Sequence, residues 1–96
     1  MDKKLKAKWV KALRSGKFRQ NTNGGFHRGG AYCCLGVLAV IGGQGRGSEI
    51  HEGNLWRFID GHVPRFASGE LIDMNDSGKR FLEIADWIEK NIPATR

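Results

Sequence analysis

Leu5, Trp9, Ala12 and Leu13 recur at i, i+4, i+7 and i+8, one stripe of a 3.6-residue period, while Lys4, Lys8, Lys11 and Arg14 fall mostly off it. The spacing predicts an amphipathic helix over about residues 3–15, stopped at Gly16. A second stripe, Phe81, Ile84, Ala85, Ile88 and Ile92, predicts another over about 77–92, with Asp76 as N-cap and Pro93 as terminator. Its outer face carries Glu83, Asp86 and Glu89, so an acidic last helix is expected beside a basic first one.

Between these stripes the period is harder to read. "YCCLGVLAVI", Tyr32 to Ile41, is continuously apolar, which fits a buried helix or a buried strand. Leu, Ala and the length favour a central helix over about 31–41, ended by Gly42 and Gly43, although Val37, Val40, Ile41 and Gly36 argue the other way. "RQNTNGGFHRGG" and "QGRGSEIHEGN" lack periodicity and read as loops. "LWRFI" is expected to be a short helix or turn with Trp56 and Ile59 inward. "HVPRFASGELIDMND" contains Pro64 and a Ser68-Gly69 turn signal, which predicts a small β-hairpin over about 62–74. The expected class is α+β, mainly α: two amphipathic helices around a buried central helix, with one small hairpin.

Ninety-six residues suffice for a single domain, here 1–96, able to bury about 60% or more of its unfolded surface. The longest apolar run is about half the roughly 20 residues that cross a bilayer, and the first residues carry charges where a signal peptide needs apolar ones. No membrane partner and a cytoplasmic location are expected. Charge is distributed unevenly. Residues 1–30 hold nine bases (Lys3, Lys4, Lys6, Lys8, Lys11, Arg14, Lys17, Arg19 and Arg28) against Asp2 alone, and the remainder holds seven bases against nine acids. Basicity is thus a local surface property, of the kind that attracts polyanions or acidic proteins.

Cys33 and Cys34 raise the question of thiol chemistry. Neighbouring Cα atoms lie about 3.8 Å apart, short of the roughly 4.4–6.8 Å that a disulfide spans. Adjacent side chains also diverge on a helix or a strand, so the two do not converge on one metal. A lone nucleophile needs a lowered pKa beside His27, His51 or His62, and no spacing selects one of them. Free cysteine is among the most buried residue types, which favours core packing.

Other chemistry fails on its own terms. "DMNDSG" puts Asp73, Asn75, Ser77 and Gly78 at calcium-loop positions 1, 3, 5 and 6, but Ile84 stands where the bidentate glutamate is needed. The histidines lie 24 and 11 residues apart without a zinc-site spacing, and "GGQGRG" lacks a nucleotide-binding context. No catalytic residue, metal or cofactor is expected.

The basic segment remains. Lys4, Lys8, Lys11, Arg14, Lys17, Arg19 and Arg28 are candidates for phosphate contacts, and Phe26 and His27 for stacking on bases. A solvated lysine-rich helix face is the plainer alternative, since no nucleic-acid reading motif accompanies it.

Three blocks carry a resemblance: "KWVKALRSGKF" (Lys8 to Phe18), "YCCLGVLAV" (Tyr32 to Val40) and "MNDSGKRFLEIADWIE" (Met74 to Glu89). In this order they resemble a group of small uncharacterised proteins of bacteriophages and prophages. The resemblance implies a phage-type accessory protein in a bacterial cytoplasm and brings no active site or cofactor. The expected role is non-catalytic binding of nucleic acid, a nucleoprotein or another acidic partner through the basic N-terminal face. The alternatives are an inhibitor docking on a host protein, for example an anti-phage defence protein, and a cysteine-dependent enzyme.

Overall fold

A computed structural model describes residues 1–46 and 51–94. The elements run α1 (Lys3–Arg14), β1 (Arg19–Gln20), β2 (His27–Arg28), β3 (Ala31–Tyr32), α2 (Cys34–Ile41), α3 (Glu52–His62), α4 (Arg65–Asp76) and α5 (Phe81–Asn91). The class is α+β, mainly α, as its periodicities predict.

The α1 helix forms where its stripe places it. Asp2 caps it by accepting from the Leu5 amide at 2.8 Å, and its carboxylate complements the positive end of the helix. Trp9, Val10 and Leu13 turn inward. The α5 helix runs antiparallel beside it: Met1 donates to the Pro93 carbonyl at 3.0 Å, Lys6 Nζ to the Glu89 carbonyl at 3.3 Å, and Arg14 reaches Asp86 at 2.7 Å. The α1 helix packs on α2, whose residues Cys34 to Ala39 are all buried, while α5 packs against α1 and α4. The basic and acidic helices therefore lie side by side, as their charges predict.

The central helix is shorter than expected, because Ala31 and Tyr32 belong to a strand. The stretch expected to be a loop forms a small sheet in the order β1-β3-β2, with β1 parallel and β2 antiparallel to β3. Gly36, the residue that weakened the helix reading, has a packing reason. A Cβ there would fall well inside van der Waals contact of the Phe26 carbonyl oxygen, the same oxygen that accepts from the Cys33 amide at 3.2 Å. Glycine lets the sheet's backbone close onto α2.

The expected hairpin over 62–74 is absent, and α4 occupies this region instead. Pro64 sits at the N-cap, where a missing N–H costs nothing, and so starts a helix. Ser68 bonds back to the Arg65 carbonyl at 3.2 Å, and Gly69 faces open space. The buried residues Ala67, Leu71 and Asn75 follow i, i+4 and i+8, a helical stripe whose third member is polar. Asp76 correspondingly ends α4 and does not cap the next helix. Gly78, at φ +95°, turns the chain, and α5 starts at Phe81 behind Arg80. Arginine has no acceptor for an orphan amide, so only the returning arm of a capping box forms, from the Arg80 amide to Glu83 at 3.4 Å. The short helix expected at "LWRFI" extends over the whole of α3 and buries Leu55 and Ile59, with Trp56 half-buried. Of the second expected loop, residues 47–50 lie outside the described residues.

Candidate functional site

Two further stripes run along α1, one facing solvent and one bordering α5. Lys4, Lys8 and Lys11, at i, i+4 and i+7, form one exposed row. Lys3, Ala7, Val10 and Arg14, at i, i+4, i+7 and i+11, form the flank that borders α5. Along that flank runs an open groove of about 800 Å³. Ala7, Val10 and Ala94 give it an apolar floor, Lys3, Lys6, Lys11, Arg14 and Lys17 a basic rim, and Glu89 its one acid.

The cations are not equivalent. Arg14 is bound to Asp86 at 2.7 Å and also to Glu89. Those two hydrogen bonds hold the guanidinium pKa above its usual range, so its charge is balanced within the fold. Lys6 is turned onto the Glu89 carbonyl. Lys3, Lys4, Lys8, Lys11 and Lys17 are exposed and make no ion pair among the described residues. Arg19 and Arg28 are exposed on the sheet, where Arg28 donates to the Asn23 carbonyl at 3.4 Å.

The two rings proposed for base stacking are engaged internally. Phe26 meets Trp56 edge to face at 5.2 Å. His27 packs against Tyr32 at 4.9 Å, and its Nε2 accepts from the Gly30 amide at 3.2 Å. Both are half-buried. The geometry thus separates the cations of the sequence-derived set, which face solvent or α5, from its rings, which hold the sheet in place.

Both thiols are buried, Cys33 with 7% of its surface exposed and Cys34 with none. Cys33 is the N-cap of α2 and its sulfur accepts from the Gly36 amide at 3.4 Å, while Cys34 Sγ donates to the Leu71 carbonyl at 3.5 Å. Burial pushes both thiols up, Cys34 strongly. Cys33 borders a cleft of about 170 Å³ that brings it Glu52 and Asp76, carboxylates that disfavour a thiolate, and Asp76 raises its pKa further. The cleft lining contains no histidine. This environment opposes activation of the thiol. Among the described residues no group of three or more His, Cys, Asp or Glu side chains is arranged to hold a metal ion, and no helix is long and apolar enough to cross a membrane.

Sequence reading missed the residue that organises the site's support. Asn75, fully buried, donates to the Asn21 carbonyl at 2.7 Å and accepts from the Cys34 amide at 3.2 Å and from Gln20 Nε2 at 3.1 Å. One carboxamide thereby joins α4, the start of α2 and the strand that leads out of α1. The sequence signal was present as a polar residue at a helix-spaced position after Ala67 and Leu71. Lys3, Lys6, Ala7 and Val10 also belong to the groove, outside the row of Lys4, Lys8 and Lys11.

The model of a family described as Domain of unknown function (DUF8296) matches residues 1–56, more than half of the chain. The matched segment contains α1, the sheet and α2. No curated protein and no solved structure matches the chain.

Proposed function

This chain belongs to the family described as domain of unknown function DUF8296, and we propose that it is a small, non-catalytic binding protein of phage type. On this reading it takes a polyanionic or acidic macromolecular partner on the exposed face of α1. The observation that carries the reading is the set Lys3, Lys4, Lys8, Lys11 and Lys17: five exposed cations on one helix and the turn after it, without acidic partners among the described residues. Of the other α1 cations, the fold balances Arg14 with two acids of α5 and turns Lys6 onto the Glu89 carbonyl, which leaves these five as the outward charge.

Such a row suits phosphate oxygens, which fix a ligand's position and carry no sequence information. Lys4 to Lys11 covers about 10 Å of helix axis at 1.5 Å per residue. The rings Phe26 and His27, half-buried against Trp56 and Tyr32, carry less of this reading than the lysines do. The phage-type assignment rests on the three sequence blocks described above. The setting in this reading is the cytoplasm of a bacterial host, supported by two free thiols beside each other. A second reading, docking on a host protein, is favoured by the apolar floor of the groove, Ala7, Val10 and Ala94, which a phosphate backbone does not use.

A salt titration tests the proposal. Binding of a single-stranded oligonucleotide and of polyglutamate is expected at low salt, falling with a slope of about 0.7 per neutralised phosphate for the oligonucleotide. The triple charge reversal Lys4→Glu, Lys8→Glu and Lys11→Glu is expected to abolish it. Absence of binding to either polyanion at low salt refutes the proposal.

A further inference from the structure

A second cavity, of about 270 Å³, lies where α1 ends and α5 begins. Its walls are Leu13, Phe18, Phe81 and Leu82, and its cations are Arg14 and Arg80. Arg14 borders both this cavity and the groove along α1, and Lys17 stands on the groove side of the same turn, so the two depressions lie on either side of Arg14. No acid lines the second cavity.

Leu82 is the unusual member. It is 57% exposed, one of two large apolar side chains so placed among the described residues, and lies off the buried stripe of Phe81, Ile84, Ala85 and Ile88. Phe18 beside it is half-buried and fixed edge to face on Tyr32 at 5.7 Å. An exposed leucine alone is ordinary. Here it forms one of four apolar walls of a concave cavity, edged by Arg14, Gln20 and Arg80, beside a basic groove with an apolar floor.

Resting on the reading that the α1 face binds an acidic partner, we infer that the partner is an acidic protein segment carrying an apolar anchor, seated between Phe18 and Leu82. Charge complementarity selects the acidic flanks: Arg80, exposed, lines the cavity and Lys17, exposed, lines the neighbouring groove, while Arg14 is already held by Asp86 and Glu89. The cavity selects the anchor, a leucine, isoleucine or phenylalanine side chain, whose carbon surface matches these walls. A nucleic-acid backbone offers neither Leu82 nor the floor residues an aliphatic partner.

Fluorescence anisotropy with three labelled probes tests this. The probes are an Asp- and Glu-rich peptide of about a dozen residues with one central leucine, the same peptide with serine in its place, and a single-stranded oligonucleotide of equal charge. The leucine peptide is expected to bind about tenfold more tightly than the serine peptide, the scale of burying one apolar side chain. Leu82→Asp, and independently Leu82→Ser, should remove that difference; Leu82 is exposed, so the fold is retained. Phe66→Asp, at a site 58% exposed on α4, should leave it intact. Equal binding of the two peptides, or a leucine preference that survives both Leu82 variants, overturns the inference. If only the oligonucleotide binds, the inference falls and the polyanion reading stands; if no probe binds at low salt, both fall.

Discussion

Replacing Asn75 by alanine should be the most damaging single polar substitution in this protein. The side chain is fully buried and makes four hydrogen bonds: to the Asn21 carbonyl at 2.7 Å, to Asp76 Oδ1 at 3.3 Å, from the Cys34 amide at 3.2 Å and from Gln20 Nε2 at 3.1 Å. Two of the partners survive its loss without difficulty. Asp76 is exposed to water, and Gln20 Nε2 keeps a bond to the Lys79 carbonyl at 2.6 Å. The Cys34 amide and the Asn21 carbonyl do not, since both belong to buried residues and lose the bonds described above. A buried polar group left without a partner costs about 1–3 kcal/mol, so two cost about 2–6 kcal/mol, a large part of the roughly 5–15 kcal/mol that stabilises a domain. Urea unfolding followed by circular dichroism measures this directly. The expected result is a lower midpoint at unchanged slope. Gln20→Ala, which removes an amide with a second acceptor, should lose less than about 1.5 kcal/mol. An Asn75→Ala loss below about 1 kcal/mol would refute the hub assignment.

The two glycines Gly36 and Gly69 should respond oppositely to alanine. Gly36→Ala drives a methyl group into the Phe26 carbonyl and should cost about 1–3 kcal/mol, whereas Gly69→Ala meets open space on α4 and should gain up to about 1 kcal/mol in the same unfolding assay. The thiols should react with a maleimide only at the rate of unfolding, Cys34 more slowly than Cys33; fast labelling of the native protein near pH 7 would contradict their burial. Their raised pKa values also fix a pH dependence. Below the unfolded thiol pKa of about 8.5 both states keep the proton and stability is on its plateau. Above it the unfolded chain ionises and the native one does not, so the thiols should lower stability by up to about 1.4 kcal/mol per pH unit each, until the native thiols ionise as well. Replacing both cysteines by alanine should flatten that decline.

The fold was legible where one physical signal dominated. The α1 and α5 stripes each pair a continuous apolar face with a charged one, and their opposite charges meet in the Arg14–Asp86 contact. Trp9 was readable as core, and is fully buried with its indole N–H on the Cys34 carbonyl at 2.9 Å. The failures cluster between residues 62 and 80, where local signals point away from the tertiary answer. Pro64 and Ser68-Gly69 resemble turn punctuation, yet proline also starts helices, and tertiary contacts tolerate an exposed glycine inside one. Asn75 hid the α4 stripe because a buried polar residue looks like a surface position until its partners are known.

The candidate site divides in the same way. Lysines on one helix were visible from spacing alone. That Arg14 is balanced by α5, that Phe26 and His27 pack inward, and that Leu82 lies beside Phe18 all depend on residues distant in sequence. No single-chain periodicity encodes such contacts.

The direct test of the central claim, that the α1 face is the binding surface, is a two-dimensional NMR titration of the isotope-labelled protein with polyglutamate and with an oligonucleotide at low salt. Amide shifts confined to α1 and the turn through Lys17, and abolished by reversing Lys4, Lys8 and Lys11, are the predicted result. Shifts centred on α3 or α4, or unchanged by the reversal, would contradict it.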